Sequence, residues 1–297
     1  MKRRFVTLDV FTTRRHAGNP LAVVLESEGL DTEAMQAIAR EFNLSETVFV
    51  LPPEHPEHRA SVRIFTPAAE LPFAGHPTVG TAVWLGLTDH AMGELPEMLV
   101  LEERIGPVSC AVEVTGNHAG HAVFTLPRLP ERVGGTPAPE VLAAALGLGS
   151  GDIGFGTHEL AVFSAGVPYS CIPLGSREAV AKARPDIGRW DAALGASAAF
   201  VYSRETAETG HHFHARMFAP NLGIFEDPAT GSAVAAFAGA VMAYEKPDDG
   251  DHRFVIEQGY EMGRPSQIAL ELSVRGGALA SARIGGSAVV VSEGVLL

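Results

Sequence analysis

Cysteine is almost missing from this chain: Cys110 and Cys171 are the two in 297 residues. That leaves no disulfide framework and no cysteine-built metal site. Positive charge is also scarce, with 22 Lys and Arg against 35 Asp and Glu and a net charge of -13. So acidic a chain argues against nonspecific binding to nucleic acid or to an anionic membrane, both of which need a basic surface. A small anionic substrate is not excluded, because one pocket can be locally positive. No apolar run reaches the roughly 20 residues of a membrane span. The opening MKRRFVTLDVFTTRR is basic but lacks the apolar core of a secretory signal, so a cytoplasmic location is the default expectation.

What the chain does contain is organised around Glu226–Glu245, EDPATGSAVAAFAGAVMAYE, which carries no charge between Asp227 and Glu245. Turn residues open it, and Ser232 is placed to be the N-cap. A helix apolar on every side has to be surrounded. Because it is too short to span a membrane, the surroundings should be protein: a sheet curled around it. A twin lies at Glu70–Leu87, ELPFAGHPTVGTAVWLGL, where Pro77 suits the first helical position. Gly75-His76 then lines up with Gly231-Ser232.

The landmarks around these helices recur in the same order, and a repeat of this kind sets the fold before any detail does. Gly18-Asn19-Pro20 is echoed by Gly166-Val167-Pro168, and Arg63-Ile64-Phe65-Thr66-Pro67 by Arg216-Met217-Phe218-Ala219-Pro220. Glu102, Gly106 and Pro107 recur as Glu257, Gly263 and Pro265. The length agrees with two domains. The boundary is expected in the Pro/Gly-rich stretch Leu126–Pro139, giving domains 1–130 and 131–297. Whether the last strand, Ala288–Val291, crosses back to the first domain is open. In the second half, helices are expected over Glu140–Leu148 and, exposed, over Arg177–Arg184.

Each helix start presents unpaired N–H groups and the positive end of a helix dipole. A pair of them suits a small carboxylate, or an enolate-like charge that develops in a transition state. The repeat is unequal in its polar residues. Glu46 heads a strand in the first half where the second has Ser197 or a near neighbour; His76 faces Ser232 across the repeat; only the second helix follows an acid, Asp227.

Asp9-Val10-Phe11, Gly18-Asn19-Pro20, Ser45-Glu46-Thr47, Phe65-Thr66-Pro67, Ala74-Gly75-His76-Pro77-Thr78, Glu226-Asp227-Pro228-Ala229-Thr230-Gly231-Ser232-Ala233 and Gly285-Gly286-Ser287-Ala288-Val289 together resemble one family over nearly the whole chain. It is the PhzF-like family of phenazine-biosynthesis isomerases, of the diaminopimelate epimerase-like fold. The resemblance implies an α+β architecture of two pseudo-symmetric β-barrels, each wrapped around a central helix, with the site in the cleft between them. It implies proton transfer with no cofactor and no metal. Glu46 would shuttle a proton between carbons of a small acid such as trans-2,3-dihydro-3-hydroxyanthranilate, with His76, Asp227 and Ser232 binding substrate and assisting. The amides near Gly75 and Gly231 would hold the small carboxylate substrate, and Asn19 would support the site. Assembly as a homodimer is a family expectation. The wider fold includes epimerases with two opposed cysteines just before the helices; here those places hold Ala74 and Thr230, against a two-thiol mechanism.

Each of these residues also has a plainer reading. Glu46, on one strand face with Val48 and Val50, could be an exposed strand-end carboxylate, His76 a backbone cap, Asp227 an Asx-type turn before Pro228, and Ser232 an N-cap alone. His211-His212-Phe213-His214 offers imidazoles, but His212 and His214 are expected on a solvated face with no carboxylate partner, so no metal site is expected. Gly151–Gly156 lacks the spacing and lysine of a phosphate loop. Two further functional readings stay open: an isomerase or epimerase of an unrelated small carboxylic acid, and a non-catalytic binding protein on the same scaffold.

Overall fold

Residues 2–94, 97–195 and 197–297 are described by a computed structural model. They divide into two units, Met1–Thr125 with Gly285–Leu297, and Leu126–Ile284. The first runs β1 (Arg3–Val10), β2 (Asn19–Val24), α1 (Thr32–Phe42), β3 (Glu46–Leu51), β4 (Ala60–Phe65), β5 (Glu70–Leu71), α2 (Gly75–Ala91), β6 (Met98–Glu103), β7 (Gly106–Gly116) and β8 (Ala119–Thr125). The second runs β9 (Glu131–Arg132), α3 (Pro139–Ala145), β10 (Ala161–Ser164), β11 (Pro168–Pro173), α4 (Arg177–Lys182), α5 (Ile187–Leu194), β12 (Ala198–Ser203), β13 (Phe213–Ala219), β14 (Ile224–Asp227), α6 (Gly231–Ala240), β15 (Gly250–Gln258) and β16 (Ser266–Arg275). A long strand, β17 (Ala278–Leu296), begins in the second unit and ends in the first.

In the first unit β1 pairs with β2, β3 with β4, β6 with β7 and β7 with β8, all antiparallel, while β2–β3 and β4–β6 are parallel. β17 pairs with both β8 and β1, which closes the ring into a barrel and leaves no sheet edge. The second unit repeats the succession of senses. β10–β11, β12–β13 and β15–β16 are antiparallel, and β11–β12 and β13–β15 are parallel. The register identifies the residue that stands where Glu46 does. Glu46 lies opposite Leu21 and Ala198 lies opposite Tyr169, so with Pro20 and Pro168 aligned, Ala198 occupies the twin position.

The helices α2 and α6 are the cores. Packed around α2 are β1, β2, β3, β6, β7 and β8, and around α6 are β9, β10, β11 and β16. Nearly every side chain of both helices is buried, as uncharged, non-amphipathic helices require. No helix among the described residues is long and apolar enough to cross a membrane. A duplicated ion pair anchors the strand that leads into each helix. Arg63 forks onto both oxygens of Glu70, and Arg216 onto both oxygens of Glu226. These are the Arg residues of the repeated Arg-x-Phe-x-Pro landmark.

Several local expectations need correction. α2 starts at Gly75 with Ala74 as its cap residue, so Pro77 is third in the helix, not first. The cap residue of α6 is Thr230, and Ser232 is second in the helix with its hydroxyl turned elsewhere. The 177–184 helix is not simply exposed, because Ala179 and Val180 pack into an apolar cluster with Trp190, Leu194 and Phe218. The 126–139 stretch is not wholly linker, since β9 within it pairs with β10. α5, capped by Asp186, was not anticipated; glycines near both its ends masked the pattern.

The largest correction concerns β13. All of it is buried, His214 included. Both its faces are covered, so the alternation of His and apolar residues does not mark an outer face. Carboxylate partners are present: Glu257 accepts from Nδ1 of His211 at 2.7 Å and of His214 at 2.8 Å, and Glu261 pairs with Nε2 of His214 at 2.8 Å. Still, among the described residues no group of three or more His, Cys, Asp or Glu could hold a metal ion.

Candidate functional site

Glu46 is the first residue of β3, and its parallel pairing with β2 sets it beside the Asn19-Pro20 segment. Asn19 is fully buried at the head of β2. His76, second in α2, presents Nδ1 at 3.3 Å from Oε2 of Glu46, whose side chain is 13% exposed. Burial drives the His76 pKa down to about 3, against the opposing effect of a hydrogen bond the ring donates to the Pro20 carbonyl. The imidazole is therefore neutral. Its Nε2 is buried and has no hydrogen-bond partner among the described residues, which leaves a lone pair for a ligand. The first unit thus places a carboxylate, a neutral imidazole and the Gly75 amide at the start of α2.

Neutral His76 makes a pH prediction. An unfolded chain protonates this residue below about 6.5 and the folded protein does not until about 3. Acidification from 6.5 towards 3 should therefore erode stability, and His76→Asn should reduce that slope. Ring carbon shifts of His76 constant from pH 5 to 9 are the direct check; a titration near 6.5 would contradict it.

In the second unit Asp227 ends β14 and is buried. Its Oδ2 accepts from the Thr230 hydroxyl at 2.5 Å. Gln258 knits the turn together: Nε2 donates to the Asp227 carbonyl at 2.7 Å and to Thr230 Oγ1 at 3.0 Å, while Oε1 accepts from Thr230 N at 3.1 Å. Ser266 Oγ donates to the Pro228 carbonyl at 3.0 Å. Gly231 opens α6, and Ser232 Oγ lies 2.7 Å from the Tyr169 hydroxyl. Tyr169 and Gln258 were missed by sequence reading. Gln258 directly follows the repeated landmark Glu257, and Tyr169 follows the Gly-Val-Pro echo, so both carried a positional signal but no chemical one.

The turn also depends on Gly259, whose φ is +79°; a Cβ there would lie 2.5 Å from the Pro228 and Arg264 carbonyl oxygens. Both obstacles are backbone and cannot swing aside. Gly259→Ala should cost about 1–3 kcal/mol, read by urea unfolding, and should shift the Thr230 amide resonance. A variant as stable as the parent would refute the packing argument.

The two thiols sit elsewhere, Cys110 on β7 and Cys171 on β11. Both are buried and their pKa values are pushed up by that burial, so neither is a nucleophile at neutral pH. A cleft of about 690 Å³ on the first unit, lined by His55, His58, Arg63, Glu102 and Arg104 among others, includes none of the candidate residues. His58 pairs there with Glu102, and Arg63 and Arg104 pair with Glu70, so the chemistry is better sought at the helix starts.

Two sheets, each threaded by a buried helix, are the architecture of the diaminopimelate epimerase-like class of α+β proteins; in this chain one carries a Glu–His pair and the other an Asp–Thr–Ser turn. The sequence profile of the phenazine biosynthesis-like PhzC-PhzF family matches residues 8–294, and the chain belongs to that family. It is 53% identical to an uncharacterised isomerase of Mesorhizobium japonicum, covering 99% of this chain and 98% of that one. It is 34% identical to trans-2,3-dihydro-3-hydroxyanthranilate isomerase of Pseudomonas aeruginosa, covering 98% of each. The crystal structure of a PhzF-family phenazine biosynthesis protein from Bacillus anthracis superposes with a TM-score of 0.88 at 26% identity, over 100% of this chain and 99% of that one. The protein is accordingly an isomerase of the PhzF family.

Proposed function

We propose that the protein isomerises a small cyclic hydroxy- or amino-carboxylic acid of the trans-2,3-dihydro-3-hydroxyanthranilate type by moving a proton between two of its carbons. Glu46 is the general acid/base: its carboxylate removes the proton from one carbon and returns it to the other. His76 stays neutral and holds the reacting face through Nε2. Asp227, Ser232 and the Gly75 and Gly231 amides bind the polar groups of the acid, and Asn19 supports them. The single observation that carries this reading is the carboxylate of Glu46, largely withdrawn from water and 3.3 Å from a buried neutral imidazole at a helix start. A carboxylate largely withdrawn from water is placed to take a proton from one carbon and to give one to the other. The substrate class rests on the 34% identical isomerase.

The test is incubation with trans-2,3-dihydro-3-hydroxyanthranilate in deuterium oxide after dialysis against EDTA. Isomerised product should form undiminished by the chelator. Failure with this substrate, but solvent exchange into another small carboxylic acid, would keep the mechanism and replace the substrate. The same reading has the protein working in the cytoplasm as a homodimer, which sedimentation velocity checks.

A further inference from the structure

Glu103, at the end of β6, shares the inward face of that strand with Leu99 and Leu101 and is buried. Its Oε1 lies 2.6 Å from Thr78 Oγ1, and that hydroxyl also lies 2.8 Å from the Ala74 carbonyl. A threonine hydroxyl has one proton and cannot donate to both. A proton on Glu103 satisfies both contacts with full hydrogen bonds: Glu103 donates to Thr78, which then donates to Ala74. Its other oxygen, Oε2, is buried without a hydrogen-bond partner among the described residues, a state far less costly for a neutral acid than for a carboxylate.

The internal repeat supports the same protonation state. Glu102 lies opposite Ser61 across the β4–β6 pair, and Glu257 lies opposite His214 across β13–β15. The next inward residue is Glu103 in one unit and Gln258 in the other. Gln258 is neutral by construction and ties down the turn before α6. A protonated glutamate has nearly the shape of glutamine and also offers one donor and one acceptor.

We propose that Glu103 is a positioning residue, a neutral hydrogen-bond donor to Thr78 that holds the first turn of α2, with Gly75 and His76, in the geometry that receives an anionic ligand. This rests on the assignment of Gly75 and His76 to the substrate site. Burial pushes the Glu103 carboxyl up to about 8, and the Thr78 hydroxyl pulls it back only in so far as it donates to the ionised form. β6 packs against α2, β4 and β7. β7 supplies Cys110, whose thiol is pushed up by burial and by Glu103 itself. From β4, Arg63 is engaged by Glu70. On α2, His76 stays neutral and Asp89, at the far end, pairs with Arg59. Glu103 also borders the cleft lined by His58, Glu102 and Arg104, where His58 pairs with Glu102 and Arg104 with Glu70. Ionisation of Glu103 would turn the Thr78 hydroxyl away from Ala74 and place a negative charge beneath the helix start.

The test uses the full-length protein. The Gly75 amide and His76 ring signals of the wild type should titrate with a midpoint near 8. In Glu103→Gln they should keep their low-pH positions throughout, and in Thr78→Val they should be displaced at every pH. Independently, the unfolding equilibrium of Glu103→Gln relative to wild type should shift in its favour by about tenfold per pH unit between about 4.5 and 8 and then level off. The sign follows because only the unfolded wild type releases this proton in that range. A titration that persists in Glu103→Gln, or a stability difference flat with pH, overturns the proposal. With trans-2,3-dihydro-3-hydroxyanthranilate, KM should rise about fivefold from pH 8 to 9 in wild type and stay level in Glu103→Gln. Absence of turnover by both proteins counts against the proposed substrate, while the amide titration still decides the role of Glu103.

Discussion

Glu46→Gln should lower isomerisation by at least about a hundredfold and as much as ten-thousandfold, the range general acid/base catalysis supplies. The amide has nearly the same shape, so the 3.3 Å approach to His76 Nδ1 can be kept. What it lacks is a site that accepts a proton at neutral pH. Because the substrate's polar groups are assigned to other residues, KM should move much less than kcat, the pattern of an interaction made only in the transition state. Glu46→Asp keeps the carboxylate but shortens its reach by one methylene, and should fall between wild type and the glutamine variant. The measurement is product formation, with deuterium incorporation in parallel. A glutamine variant that turns over and exchanges like wild type would remove Glu46 from the mechanism.

Glu257→Ala is expected to have the largest effect on stability. The side chain is fully buried and accepts four hydrogen bonds: from the Ala207 and Glu208 amides at 2.8 and 2.7 Å and from His211 and His214 at 2.7 and 2.8 Å. Removing it takes the shared acceptor from the Ala207 and Glu208 amides and from His211, and leaves buried His214 with Glu261 alone. Breaking a buried ionic cluster from one side costs about 3–5 kcal/mol, or roughly 10 °C in Tm. Glu102 repeats the arrangement in the first unit, accepting from the Glu54 and His55 amides and from His58. It is more exposed and has no second histidine, so Glu102→Ala should cost much less.

The pH dependence of that cluster follows from its charges. Burial raises the Glu257 pKa, but the hydrogen bonds of His214, Ala207, His211 and Glu208 outweigh it and bring the value to about 2. That stabilisation is complete above about 4.5 and is lost as pH falls through 2. Burial lowers the His214 pKa, but Glu257 and Glu261 outweigh it and raise the value. Its contribution is complete below about 6.5 and is lost as pH rises through the raised value. The difference between wild type and Glu257→Ala should therefore be greatest near pH 5–6, measured by thermal unfolding across pH.

The same cluster shows where sequence reading failed. His212 and His214, alternating with apolar residues, read as a wet face, because alternation is the signal of a half-exposed sheet. β13 is covered on both faces, and the carboxylates that compensate the histidines lie about 45 residues further along the chain, beyond any local pattern. Ser232 failed for a smaller reason. Its residue type suited a cap, but the cap is Thr230 and the helix begins two residues earlier than a Ser232 cap would have it, so its hydroxyl meets Tyr169 instead. Glu46 and His76, by contrast, lie where the sequence placed them, at a strand head and at a helix start.

By itself the sequence determined the duplication, the two uncharged helices that must be enclosed, and the absence of thiols at the helix starts. All of these are properties of residue type and order along the chain. Only the tertiary structure decided that the His76 imidazole is neutral, that Gln258 and Glu103 are twins beneath the two helix starts, and that Glu257 is a buried hub. Charge state and hydrogen-bond partnership depend on what surrounds a group in space, and those neighbours come from strands far apart in the chain.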